Sequence, residues 1–324
     1  MPVAVAVVSR HSLVAGASPP PSRRPRAVTR RAASRSAAMA GPPDAPSDPA
    51  PPSRTLVTFD VDGTLIRAVG EGANKFHKDA FAVAIEAVHG LKTHIDVIKH
   101  HGSTDQLVVA DVLRHHGFAE DAIWSNMPAT CEKMLEHAAE TEADAANGLE
   151  LLPGVRELLE TLAARTDVVV GLVTGNLAPI AWAKMRALKI DRLFSQPPPS
   201  DAAAPPGAIL GGYGSDHVDR GELVVLAARR AAAGTWSLGD LPGASDSAVE
   251  LGVAFRERCH FGDTPNDVRA AAFGGALAVG VTTGVFDRAE LEDDGATGAM
   301  AGRRVVFDGL EDTGEVLRAC GLSV

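Results

Sequence analysis

The sequence predicts an α/β fold, a doubly wound parallel sheet with a small all-helical insertion. Three observations predict it. Short strand-like runs, several of them β-branched, alternate with apolar helical patterns along most of the chain. Acidic residues follow two of those runs at once, at the strand ends where open sheets of this kind place their ligands. A long segment between the first and second runs carries its apolar residues at helical spacing. A chain of 324 residues with 45% hydrophobic content can bury such a core and an accessory domain. Aromatic residues are only 4% of it, so the core must be built from Ala, Val and Leu.

Residues 55–59 form the first strand, which runs into Phe59-Asp60-Val61-Asp62-Gly63-Thr64-Leu65. Two carboxylates one residue apart at the end of a buried strand are costly to hold without a counter-charge. Such a pair points to a metal and to chemistry. Alternation along a strand puts Asp60 and Asp62 on one side, and Gly63 lets the chain turn away immediately.

Residues 73–88 carry Phe76, Ala80, Phe81, Ala84 and Val88 close to helical spacing, and 105–114 and 131–139 read the same way. The core resumes at Leu151-Leu152-Pro153-Gly154-Val155, with 156–164 as the next core helix. Residues 168–173 are the second core strand. They deliver Thr174, Gly175 and Asn176, whose hydroxyl, backbone N–H and amide suit a phosphate oxygen.

Asp219-Arg220-Gly221-Glu222-Leu223 opens the apolar helix 224–233. His260-Phe261-Gly262-Asp263-Thr264-Pro265-Asn266-Asp267 then sets Asp263 and Asp267 four residues apart, between strand 259–261 and helix 268–273. Pro265 stands in the first turn of that helix. Strands 277–281 and 304–307 complete the series. Two stretches rich in Gly with Pro, Ala, Ser or Asp, 195–214 and 233–249, read as surface loops.

These motifs, in this order, resemble those of the haloacid dehalogenase-like (HAD) hydrolase superfamily over roughly residues 55–310, most closely the phosphoglycolate phosphatase-like branch. Asp60 to Leu65 is similar to the first motif, Thr174-Gly175-Asn176 to the second, and Gly262 to Asp267 to the fourth. The third motif usually supplies a lysine at a helix start. Arg220 is the best local match and would replace it; Arg keeps the charge and can grip phosphate with two N–H groups. Lys184 and Lys189 are rivals, ranked lower because both follow closely on the second motif. The resemblance implies a Rossmann-like core at 55–65 and 151–324 and a type-1 helical cap at 66–150.

It also implies a Mg²⁺-dependent phosphomonoester hydrolase acting on a small phosphorylated metabolite, phosphoglycolate or a sugar phosphate. Asp60 would be the nucleophile, giving an aspartyl-phosphate. Asp62 would be the acid and then the base. Asp60, the backbone carbonyl of Asp62 and Asp263 would hold the metal, with Asp267 supporting that end of the site. Thr174, Gly175, Asn176 and Arg220 would hold the phosphoryl oxygens. A sugar-phosphate mutase would keep the same acids; a non-catalytic binding or regulatory protein of this fold would have lost one of Asp60, Asp62 and Asp263. Cap residues Lys75, His77, Lys78, His100, His101, Ser103, Thr104 and Asp105 are the polar candidates for choosing the substrate.

The formal charge of −10 argues against nucleic acid as a partner, and no stretch approaches the ~18 apolar residues of a membrane span. That charge is unevenly spread. Residues 1–43 hold seven Arg and no Asp or Glu, with abundant Ser, Ala and Pro, the composition of an organellar transit peptide. Residues 1–54 therefore read as a transit peptide and a Pro-rich linker. Plastid (chloroplast) is preferred on the Ser and Pro content, with the mitochondrion as the alternative. Three separated cysteines, Cys131, Cys259 and Cys320, form no C-x-x-C pair and agree with a reducing compartment.

Overall fold

The computed structural model describes residues 54–236, 254–293 and 303–324. The transit peptide and nearly all of the linker, and most of the expected loop 233–249, lie outside these residues. Six strands form one parallel sheet in the order β5-β4-β1-β6-β7-β8: β1 (Thr55–Phe59), β4 (Val168–Thr174), β5 (Gly211–Tyr213), β6 (Glu257–Gly262), β7 (Leu277–Val281) and β8 (Arg304–Phe307). β1 is central. The chain builds outward on one side through β4 and β5, then crosses back to lay β6 against the other side of β1. That reversal opens a crevice at the carboxyl end of β1, where ligands of open α/β sheets sit.

Register fixes what meets in the crevice. Phe59 pairs with Leu172 on one side and Phe261 on the other, so β1, β4 and β6 end close to one level. Phe59 and Phe261 stack with centroids 4.7 Å apart, a contact worth ~0.5–1.5 kcal/mol beyond area burial. Asp60, Thr174 and Asp263 follow within two residues of those paired positions.

Both faces of the sheet are covered. On one, α4 (Val155–Ala163), α5 (Ala178–Ala187) and α9 (Thr313–Ala319) pack Leu158, Trp182, Met185 and Leu317 against Val57, Phe59 and Leu172. On the other, α6 (Arg220–Ala233) and α7 (Pro265–Phe273) pack Leu223, Val224, Val268 and Ala271 against Val173, Ala278 and Val306. A short helix, α8 (Arg288–Glu292), follows β7. Val and Leu alternate to the two faces along β1 and β4, and Ala on α6 and α7 lets the helices come close.

The helical segment leaves and re-enters through an antiparallel pair, β2 (Ile66–Ala68) and β3 (Leu149–Leu151). Between them lie α1 (Lys75–His89), α2 (Asp105–His115) and α3 (Glu120–Glu140). Their apolar cluster includes Phe81, Ile85, Val109, Leu113, Ile123 and Met134. Leu177 at the N-cap of α5, and Ile180 and Ala183 within it, belong to the same cluster, so the insert rests on a core helix.

Two expectations are corrected. α3 begins at Glu120, eleven residues before the expected 131, and runs through Pro128. Proline removes one helical hydrogen bond and reads as a stop; buried Ile123, Met127 and Met134 carry the helix across it. The stretch 195–214 is not wholly a surface loop, because its end forms β5, a fully buried edge strand. A Cβ at Gly212 would collide with the backbone of Leu223 on α6. The helix packs on bare backbone there, so the strand lacks the β-branched residues that would have marked it.

Candidate active site

Asp60 follows β1 directly, its N–H donating 2.8 Å to Phe261 O, and is 4% exposed. Gly63 adopts φ +89°, and a Cβ on it would collide with the Asp263 carboxylate. The turn therefore brings the ends of β1 and β6 into contact only with glycine there. Thr64 Oγ1 donates to Asp263 Oδ1 at 3.3 Å. One carboxylate oxygen from each of Asp60, Asp263 and Asp267 lies within 4.8 Å of the others, and all three residues are buried.

The three acids are not equivalent. Asp267 closes a capping box at the start of α7: its Oδ2 accepts from Thr264 N–H (3.1 Å) and Thr264 Oγ1 (2.7 Å). Its Oδ1 is ion-paired with Arg220 and lies 3.4 Å from His260 Nε2. Burial would raise its pKa, but Arg220 and His260 outweigh that and hold it well below the usual carboxylate range. Asp60 and Asp263 lack such support. Burial, only partly offset by Arg220, and the charges of Asp267 and Asp62 push Asp60 up to about 6. Burial with the charges of Asp267 and Asp60 pushes Asp263 up to about 8. Asp60 Oδ1 is buried and reached by no hydrogen bond. A hard cation suits this set: oxygen donors, excess negative charge and an oxygen with no other partner. Asp60 and Asp263 are the residues to hold it, because both oxygens of Asp267 are already engaged.

Arg220, in the first turn of α6 as the sequence places it, lies among the acids. Its Nη1 is 3.4 Å from Asp60 Oδ1, and its buried Nε has no hydrogen-bond partner. The same acids raise its own pKa against the effect of burial.

Asp62 is turned differently, with its side chain 36% exposed. It accepts from Asn74 Nδ2 (3.3 Å), Asn176 Nδ2 (3.0 Å) and Lys184 Nζ (2.7 and 2.9 Å). Burial acts to raise its pKa, but Lys184 outweighs it and keeps Asp62 below the ordinary carboxylate value.

The structure brings together Asp60, Asp62, Asn176, Arg220 and Asp263 around one cavity of about 430 Å³. Its far wall is the helical insert, through His77, Lys78, Asp96, His100 and His101. Thr174 and Gly175 do not border it. Thr174 is fully buried, its hydroxyl accepting from Asn176 N–H at 3.3 Å, and Gly175 O accepts from Asp105 N–H at 2.8 Å. Lys75 pairs with Asp79 on an exposed face, outside the cavity. Residues 102–106, the loop before α2 and its first two residues, are fastened to the core by Thr104 Oγ1 to Val218 O (3.1 Å), Gln106 Nε2 to Gly214 O (2.6 Å) and Asn266 Nδ2 to Gly102 O (2.8 Å).

Sequence reasoning missed Asn74, Thr64 and the part taken by Lys184. For Lys184 a signal was present: it lies four residues after Ile180, on the buried stripe of an otherwise apolar helix.

A fold of this topology with acids at the ends of β1 and β6 defines a class, and family comparison names it. Residues 55–200 match the model of the haloacid dehalogenase-like hydrolases, and residues 239–312 match a second HAD-hydrolase-like model. The chain belongs to the haloacid dehalogenase-like hydrolases. Among solved structures it is similar to a hydrolase from Pseudomonas syringae, at 19% identity and TM-score 0.50, covering 84% of this chain and 100% of that one. It is also similar to a predicted phosphatase from Clostridium acetobutylicum, at 15% identity and TM-score 0.51, covering 82% and 99%. At these identities the likeness speaks for the fold. A search of curated proteins finds no match.

Proposed function

We propose that the protein is a Mg²⁺-dependent phosphomonoester hydrolase acting on a small phosphorylated metabolite. One observation carries the reading: a buried Asp60 oxygen with no hydrogen-bond partner, facing Arg220 and grouped with Asp263. An unencumbered carboxylate beside a fixed cation is what attack on a phosphoryl group requires.

Held by Asp60 and Asp263, Mg²⁺ would supply Lewis-acid neutralisation of the charge that gathers on the phosphoryl oxygens. Asp60 attacks phosphorus, the bond from phosphorus to the substrate oxygen breaks, and an aspartyl-phosphate remains. Asp62, held ionised by Lys184 in the free site, would take up the proton that a monoanionic phosphoester carries, pass it to the departing oxygen, and later take one from the water that cleaves the acyl phosphate. Arg220 holds a phosphoryl oxygen, with its unpartnered Nε as the free donor.

A cavity of about 430 Å³ with Lys78, His100 and His101 opposite the acids suits a small anionic ester such as phosphoglycolate or a sugar phosphate. The helical insert then acts as the cap that excludes water during the first transfer. Among the described residues no helix is long and apolar enough to cross a membrane. The Arg-rich leader supports delivery to a plastid; residues 1 to about 50 fused to a passenger should carry it into an organelle, and a cytosolic passenger would refute that. The activity itself is tested by phosphate release from a generic aryl phosphate with and without Mg²⁺. Absence of release under saturating metal would overturn the hydrolase reading.

A further inference from the structure

Lys184 is fully buried on α5, and all its hydrogen-bonding capacity is spent. An ammonium has three N–H groups. Those of Lys184 face three acceptors: the Asp62 carboxylate at 2.7 and 2.9 Å, Asn176 Oδ1 at 2.8 Å and His77 Nδ1 at 3.3 Å. No donor is left for a phosphoryl oxygen, so Lys184 is not a second phosphate grip. A His77 nitrogen that accepts from an ammonium carries no proton, so His77 holds its hydrogen on Nε2 and donates it to Asp105 Oδ2 at 3.0 Å. That same Asp105 oxygen accepts the N–H of Leu177 at 2.8 Å. The chain Asp62, Lys184, His77, Asp105 thus crosses from the core to the insert and back to the start of α5.

Burying an ammonium carries a desolvation penalty, and a helix packed by Ile180, Ala183 and Met185 gains nothing from one for packing alone. Asn176 bridges the pair, donating to Asp62 and accepting from Lys184, which fixes the carboxylate and ammonium in one frame. We propose that Lys184 is the positioning residue for Asp62, itself set in place by the His77–Asp105 pair of the insert. The assignment rests on the phosphatase reading, in which Asp62 transfers a proton to and from the reacting oxygens. Its consequence is selective. A 4-nitrophenolate leaves without a proton, whereas an alkoxide needs one.

The test compares Lys184→Met and Lys184→Arg with wild type on 4-nitrophenyl phosphate and on an alkyl phosphate such as phosphoglycolate. Melting temperature is followed alongside. Lys184→Met should lower kcat on the alkyl ester by ~10²-fold, the scale of a lost acid–base group, and on the aryl ester several-fold at most, with KM little changed on either. Lys184→Arg should recover part of the alkyl loss. Asp62→Asn combined with Lys184→Met should be no worse than Asp62→Asn alone, since both act on one group. Should Lys184→Met not fold, His77→Phe carries the test. It removes the third partner of Lys184 and should show the same bias toward alkyl esters at smaller amplitude. Equal losses on both esters, or losses that add to those of Asp62→Asn, would overturn the assignment. Wild-type protein inert on both esters would overturn the hydrolase reading, and the assignment with it.

Discussion

The guanidinium of Arg220 stands 3.4 Å from Asp60 Oδ1, a buried carboxylate oxygen that no hydrogen bond reaches. Arg220 also pairs with Asp267, which is tied in turn to the start of α7. A cation fixed on one side by Asp267 can meet charge that builds beside Asp60 without moving. Arg220→Ala should therefore cost ~10²-fold or more in kcat on any phosphomonoester. Arg220→Lys should restore only part of that, since an ammonium can keep the charge that Nη1 brings to both acids but lacks the free Nε donor. Steady-state kinetics decide, and near-wild-type turnover in Arg220→Ala would remove Arg220 from the mechanism.

Asp60→Asn should abolish phosphate release, because an amide is a poor nucleophile, and it should leave the fold intact. The same substitution removes one of the crowded negative charges. The metal-free variant should accordingly melt higher than metal-free wild type at pH 8, with no turnover. Retained phosphate release would sink the covalent mechanism.

Much of this site could be read from the sequence, and the reasons are local. An acid that follows a strand lands at its end whatever the tertiary detail: the run 55–59 placed Asp60 and Asp62, and the strand-to-helix pattern from Gly262 to Asp267 placed Asp263 and Asp267. Arg220 could be placed in a helix's first turn, but its pairing with Asp267 depends on α6 lying beside α7. Lys184 was the harder case. Its part is fixed by Asp62 and His77, which reach it from 122 and 107 residues away, and no short window of sequence contains that relation. β5 was hidden by glycines that serve helix packing, and the start of α3 by Pro128.

Stability without metal should depend on pH in a stated direction. Asp60 and Asp263 have pKa values raised from 3.8 to about 6 and about 8. A raised carboxyl contributes stability that is fully present below its ordinary pKa and is lost as pH climbs through the folded value. Asp62 and Asp267 are shifted the other way, and their contribution is lost only in acid, below about their ordinary values. Between pH 5 and 9 the first pair dominates. Calorimetry in chelator should show the melting temperature falling across that range, and Mg²⁺ should raise it most at the alkaline end, by binding the ionised acids. A flat profile in chelator would contradict the crowded-acid description.

Gly63→Ala isolates the turn. At φ +89° a side chain is strained, and its Cβ would displace the Asp263 carboxylate. The cost should be ~1–3 kcal/mol in stability. Metal affinity should fall as well, because Asp263 is moved from Asp60. Isothermal titration with Mg²⁺ against the melting temperature separates the two effects. Unchanged affinity would show that Asp263 does not hold the ion.

Substrate size should be set by the wall that the insert presents. The cavity of about 430 Å³ has Phe81 as its one aromatic residue, and Lys78, His100 and His101 stand across from the acids. Burial and the neighbouring His101 hold the His100 pKa below its ordinary value in spite of Asp96, so at neutral pH its ring offers hydrogen bonds rather than charge. Lys78, bound to Asp96 at 3.1 Å through both carboxylate oxygens, is a cation on that wall. A short ester with a carboxylate or hydroxyl at its far end can meet this set; a nucleoside would need more room and a surface on which to stack. Phosphoglycolate or a small sugar phosphate should therefore be hydrolysed with higher kcat/KM than any nucleoside monophosphate. Lys78→Ala and His100→Ala should narrow that gap while changing turnover of a generic aryl phosphate little. Equal or better efficiency on nucleotides under saturating Mg²⁺ would reject the small-metabolite assignment and leave the phosphatase chemistry standing.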